Sequence, residues 1–173
     1  MSKRELKKYL HKLSKKQLEE QITDLYSRFK EVKVFYDFVF NPKEDKLLDE
    51  CKFKISKEYF PVKGRKAKAR RSVAQKYIKH FKQLGVEANI IADVMLYNIE
   101  IVQTYSGEKE IKQDAFYKSM LKSFEEAVSF IYENGIQKEF DERLYAIMTE
   151  TSFQNWFNSS FFEKVLAQKN PRA

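Results

Sequence analysis

Between Glu58 and Glu87 the chain has no acidic residue but carries nine lysines and arginines: Lys63, Arg65, Lys66, Lys68, Arg70, Arg71, Lys76, Lys79 and Lys82. A row of cations can hold a polyanion but cannot by itself break a bond, so the chemistry this stretch offers is binding. Spaced along a helix, such a row follows phosphates, and phosphate contacts supply most of the non-specific affinity for nucleic acid. The same row also suits a plain solvated face or a contact with an acidic protein.

Projecting residues 66–84 at 100° per residue separates two faces. Val73, Ala74, Tyr77, Ile78, Phe81 and Leu84 share an apolar arc, and Lys68, Arg71, Lys76, Lys79 and Lys82 lie opposite it, joined by Lys63 and Arg65 from the preceding loop. Arg70 projects into the apolar arc, where a cation must either snorkel out or meet an acid. Asp93 and Glu100, seven residues apart on the following helix, are the acids expected to meet it. An internal ion pair is therefore expected, with an arginine-lined anion pocket as the functional alternative.

The remaining residues of reactive type lack the company that chemistry needs. Asp93 and Glu100 stand roughly 10 Å apart along a helix, too far for a two-carboxylate mechanism. His11 and His80 are not at metal-ligand spacing, and Cys51, the sole cysteine, lies on an apolar stripe as a small core residue. There is no glycine-rich phosphate loop and no GxSxG motif. No catalytic residue, metal or cofactor is assigned, and an enzyme that keeps its chemistry outside recognisable motifs stays open as an alternative.

The elements that would position the basic face read as helices throughout. Ser2 with Glu5 and Ser14 with Gln17 are capping boxes. After the second, Leu18, Ile22, Leu25, Phe29, Val32, Tyr36 and Val39 follow a 4–3 spacing, which predicts one long helix. Asn41-Pro42 opens the next helix, with Leu48, Cys51, Ile55 and Tyr59 as its stripe, and Pro61 ends it. The basic helix then runs to Gly85, whose position predicts a left-handed cap. Residues 88–105 are apolar on most of their circumference and should lie centrally. A helix from Asp114 to Gly135, another through Ile136, Phe140, Leu144 and Ile147, and two short aromatic helices broken near Asn158 complete an all-α bundle of seven or eight mostly antiparallel helices. Residues 1–173 read as a single domain, with 1–13 as a short peripheral helix.

Composition agrees with these assignments. With 173 residues and 43% hydrophobic content the chain can bury a core, and 15 Phe, 10 Tyr and one Trp need burial or a partner. The net charge of +8 is uneven: residues 1–84 hold 24 basic and 11 acidic side chains, whereas residues 85–173 hold 9 and 14. Either the basic half faces a polyanion or the two halves attract each other within one fold. One cysteine, a charged N-terminus and no apolar run of membrane length point to a cytoplasmic protein with no membrane partner. Phe153, Trp156, Phe157, Phe161 and Phe162 either close the core or form a dimer patch; the core role, and with it a monomer, is preferred.

The segments FNPKEDKLLDECKFKISKEYFPVKGRKAKARRSVAQKYIKHF and IADVMLYNIEIVQTYS resemble a family of small, uncharacterised, all-helical bacterial proteins, and the similarity extends over the whole chain. The resemblance implies a bacterial cytoplasmic protein and transfers no catalytic or binding residue. The opening KRELKKYLHKLSKKQLEEQITDLY also resembles the two-helix SAP-type nucleic-acid module. The leading reading is non-catalytic polyanion binding, to nucleic acid, through residues 63–82. The second is a protein-interaction module that meets an acidic partner or a second copy of itself.

Overall fold

Serine side chains start the first two helices. In the computed structural model, which describes residues 2–62 and 65–169, Ser2 exchanges hydrogen bonds with Glu5, and Ser14 does the same with Gln17. Each exchange satisfies backbone N–H groups that a first turn leaves free. Among the described residues all regular structure is helical: α1 (Lys3–Leu10), α2 (Lys15–Arg28), α3 (Lys30–Phe40), α4 (Glu44–Tyr59), α5 (Arg71–Leu84), α6 (Ala88–Glu108), α7 (Asp114–Glu133), α8 (Gln137–Phe153) and α9 (Ser159–Lys169). The chain divides into two compact units, Met1–Lys43 and Glu44–Ala173, where the sequence suggests one domain.

The first unit corrects the long-helix expectation. Phe29 has extended backbone (φ −115°, ψ 116°), so the 4–3 seam is cut into α2 and α3. The chain folds back there, because the Tyr26 hydroxyl donates to Asp37 Oδ1 at 2.7 Å, whereas eleven residues of unbroken helix would hold them about 16 Å apart. A seam of this kind needs a partner along its length, and the fold-back makes one from the seam itself. This break adds a helix, whereas the two short aromatic helices expected around Asn158 are the end of α8 and the single helix α9, so the described residues form nine helices where seven or eight are expected. No described residue of this unit is buried, and Phe29, Val39 and Phe40 are at least half exposed.

The second unit is assembled on α6. Ile91, Ala92, Val94, Met95, Leu96, Ile99 and Val102 of that helix are buried, and α4, α5, α7 and α8 all pack against it. Each neighbour presents the apolar stripe its spacing announces: Cys51, Ile55 and Tyr59 from α4, Ala74, Ile78, Phe81 and Leu84 from α5, Met120, Phe124, Ala127 and Ile131 from α7, Phe140, Leu144 and Ile147 from α8. Gly85 takes φ 74° to end α5, the left-handed conformation that favours glycine. The aromatic cluster near the C-terminal end divides in two. Trp156 and Phe162 are buried, with the Phe162 ring tilted against that of Phe124 at 4.9 Å between centroids, whereas Phe153, Phe157 and Phe161 are exposed.

Burial also fixes the protonation of two core groups. The Cys51 thiol is pushed up from 9.0 to about 12, and the Tyr59 hydroxyl from 10.0 to about 12, because an anion is poorly solvated at either place. The folded state thus holds these protons more tightly than the unfolded chain does. The associated stability is complete below pH 9 and is lost as pH rises from 9 towards 12. Between pH 9 and 10 the thiol alone should remove roughly 1 kcal/mol. Urea unfolding at the two pH values should show wild type losing about that much more than Cys51→Ala. Equal losses would mean that the buried thiol does not set the alkaline limit.

Candidate nucleic-acid interface

The basic segment is built differently from its helical projection. Arg70 is the N-cap of α5, in extended backbone (φ −87°, ψ 105°), and residues 65–70 have no regular structure. The projection of Arg70 into the apolar arc fails because a helical wheel does not apply ahead of the first turn. This segment is fastened to the last turn of α4 through one residue. The backbone N–H groups of Lys68 and Ala69 both donate to the Glu58 carbonyl, at 3.0 Å each. The Arg70 guanidinium donates Nε and Nη2 to the two Glu58 carboxylate oxygens at 2.8 and 2.9 Å. These hydrogen bonds from Arg70 hold the Glu58 carboxyl below its ordinary range, against the opposing effect of burial. The pair therefore stabilises the fold above that range and loses its effect as pH falls through it. The fastening also supports Ala69 at φ 48°, a left-handed conformation that costs a residue with a Cβ about 1–2 kcal/mol.

Asp93 and Glu100 do form a half-buried ion cluster, but not with Arg70. Arg143 of α8 donates Nε and Nη2 to Glu100 at 2.8 Å each and Nη1 to Asp93 at 2.7 Å. Lys52 of α4 completes the cluster, its Nζ 2.6 Å from the other Asp93 oxygen. One guanidinium bridges two helical turns because its planar fork carries several donors. The cluster ties α4, α6 and α8 together and carries no reaction geometry.

The predicted interface cations separate into three groups. Lys63 lies outside the described residues. Arg71 leaves the arc and turns inward, donating to the Ser123 hydroxyl at 2.6 Å and to the Glu126 carboxylate at 2.8 Å. Arg65, Lys68, Lys76, Lys79 and Lys82 are exposed, as is Lys66, and among the described residues none of these six forms a salt bridge. Lys82 lies 4.5 Å from the Phe130 ring centroid. Beside it an open groove of about 310 Å³ is lined by Gln75, Ile78, Lys79 and Gln83.

Two residues central to this arrangement escaped the sequence reading. Glu58 was visible only as the last acid before the basic run, and its role depends on a chain reversal that no spacing announces. Arg143 sits in EFDERL among three acids, where local pairing hides its distant partners.

A family of unknown function (DUF6155) matches residues 1–170 of this chain, and the chain belongs to that family. No curated protein and no solved structure matches it. Membership brings no activity and no functional residue with it.

The two arginines should respond differently to truncation. Arg143→Ala leaves two half-buried carboxylates with only Lys52 nearby and should cost roughly 2–3 kcal/mol. Arg70→Ala removes a side chain that is 53% exposed, where solvent screens the pair, and should cost less than Arg143→Ala. Urea denaturation of both variants measures this order. A larger loss from Arg70→Ala would show that the loop fastening, not the cluster on α6, dominates.

Proposed function

We propose that this member of a family without assigned activity is a non-catalytic nucleic-acid-binding protein whose interface is the exposed cation row from Arg65 to Lys82. The observation that supports this reading is selective pairing. Arg70, Arg71, Lys52 and Arg143 each meet a carboxylate, whereas Arg65, Lys66, Lys68, Lys76, Lys79 and Lys82 meet none among the described residues. Cations held on a fastened segment and the helix that follows it present fixed charge to a phosphate backbone, which positions a polyanion without reading its sequence. In this reading the protein is cytoplasmic, and no helix among the described residues is long and apolar enough to cross a membrane.

A second reading, contact with another protein or a second copy, draws on Phe153, Phe157 and Phe161, which are 79%, 55% and 50% exposed. Exposed rings grouped around one turn suit a protein interface.

Salt separates the two. With about five phosphates engaged, log affinity for a duplex should fall against log salt with a slope of about −4.5, and Lys79→Ala should reduce that slope by about one without moving the melting curve. Filter binding or anisotropy across a salt series gives the slope. Absence of DNA and RNA binding at tens of micromolar protein in low salt overturns the reading. Sedimentation velocity tests the second: a dimer that dissociates on Phe161→Ser supports it, and a strict monomer at all concentrations removes self-association.

A further inference from the structure

A cleft of about 630 Å³ opens where the end of α4 and the end of α6 meet the 65–70 segment. Its walls are aromatic. Tyr105 of α6 has its ring centroid 5.7 Å from that of Tyr59 and 5.9 Å from that of Phe60. Its charged groups are all positive, since Arg65, Lys66 and Lys109 line it and no carboxylate does among the described residues. The Lys109 ammonium lies 5.1 Å from the Tyr105 ring centroid. Tyr59 is 1% exposed, and among the described residues its hydroxyl has no hydrogen-bond partner. A buried hydroxyl without an acceptor is destabilising, so a cleft lined by this residue is a place where a bound acceptor would be welcome.

Three cations alone would suit any anion, and three rings alone would suit any flat apolar group. Together they select a ligand that is aromatic at one end and anionic at the other. The volume lies within the range of sites that enclose small molecules. We propose that this cleft seats one nucleotide, its base against Phe60 and Tyr105, its phosphate on Arg65, Lys66 and Lys109, and an oxygen of the ligand accepting from the Tyr59 hydroxyl. Bases stack on aromatic side chains with little regard to sequence, and cationic grooves hold the attached backbone. Arg65 and Lys66 also belong to the proposed interface, followed along the chain by the exposed Lys68, Lys76 and Lys79. The inference rests on the nucleic-acid reading for a strand as the source; a free nucleotide presents the same chemistry. A base inside a duplex cannot reach the cleft without leaving its stack, so the cleft makes the protein prefer single strands.

The test uses the full chain, fluorescence anisotropy on a labelled 12-nucleotide single strand and its duplex, and titration with adenosine monophosphate followed by NMR shifts. The single strand should bind about tenfold tighter than the duplex, in line with stacking of one base. Tyr59→Phe and Lys109→Ala should each weaken single-strand binding by about three- to tenfold while leaving duplex binding unchanged. Tyr59→Phe should leave the melting temperature unchanged or raise it, since it removes a buried hydroxyl that has no partner among the described residues, and Lys109→Ala alters an exposed side chain. Lys79→Ala should weaken strand and duplex alike. Equal affinity for strand and duplex, unmoved by both cleft variants, overturns the nucleotide seat and leaves the basic interface standing. Binding of adenosine monophosphate that Lys109→Ala weakens, with no binding of strand or duplex, upholds the seat with a free nucleotide as its source and overturns the interface reading. No binding of any of the three overturns both.

Discussion

Helix α6 cannot face water on any long side without cost, and that constraint arranges residues 44–169. Seven of its apolar side chains are buried, each stabilising by about 1.5–3 kcal/mol for the larger ones before ordering costs are set against it. One helix can cover only a stripe of another, so α4, α5, α7 and α8 all take a share of the surface. The polar strip that remains holds Asp93 and Glu100, and it becomes tolerable only when Arg143 and Lys52 arrive from two of those covering helices. Apolar burial thus decides which helices surround α6, and the ion cluster decides how α4 and α8 register on it. A buried charge cluster adds less to net stability than to this choice of register, since much of its attraction offsets desolvation.

Periodicity carried most of the helical architecture. The apolar stripes of α4 to α8, both capping boxes, the glycine cap at Gly85 and the central place of α6 all follow from spacing and cap chemistry that act within a few residues. What spacing could not give was any feature decided by residues distant in the chain. The 4–3 seam from Leu18 to Val39 is equally compatible with one long helix and with two helices folded on each other, and the Tyr26–Asp37 pairing that accompanies the second is a tertiary event. Arg70 was misplaced for a related reason. A wheel assumes helical dihedrals, and the residue before the first turn has none.

Charge followed the same division between local and distant. The uneven sequence halves suggested either a polyanion or mutual attraction within the fold, and within the second unit attraction consumes part of the basic excess: Lys52 meets Asp93 and Arg71 meets Glu126. The interface reading therefore rests on fewer residues than the sequence offered. Arg71 belongs to the packing between α5 and α7, and the cations that remain form no salt bridge among the described residues, although Lys68 stands near enough to Glu58 to help hold its carboxyl low.

The late start of α5 leaves residues 65–70 outside the helix and shapes the cleft. Had the helix begun at residue 66, its first turns would have bonded to themselves. Beginning at Arg71 instead leaves the N–H groups of Lys68 and Ala69 free for the Glu58 carbonyl, and places Arg70 where its fork meets the Glu58 carboxylate. The strain at Ala69 is sustained by those same bonds. Held in this way, the segment keeps Arg65 and Lys66 beside Tyr59, Phe60 and Tyr105, so positive charge and aromatic surface share a wall that neither helix could have formed alone. A single glutamate, contributing its backbone carbonyl to two amides and its carboxylate to one arginine, thereby converts the end of a helix into a shaped surface.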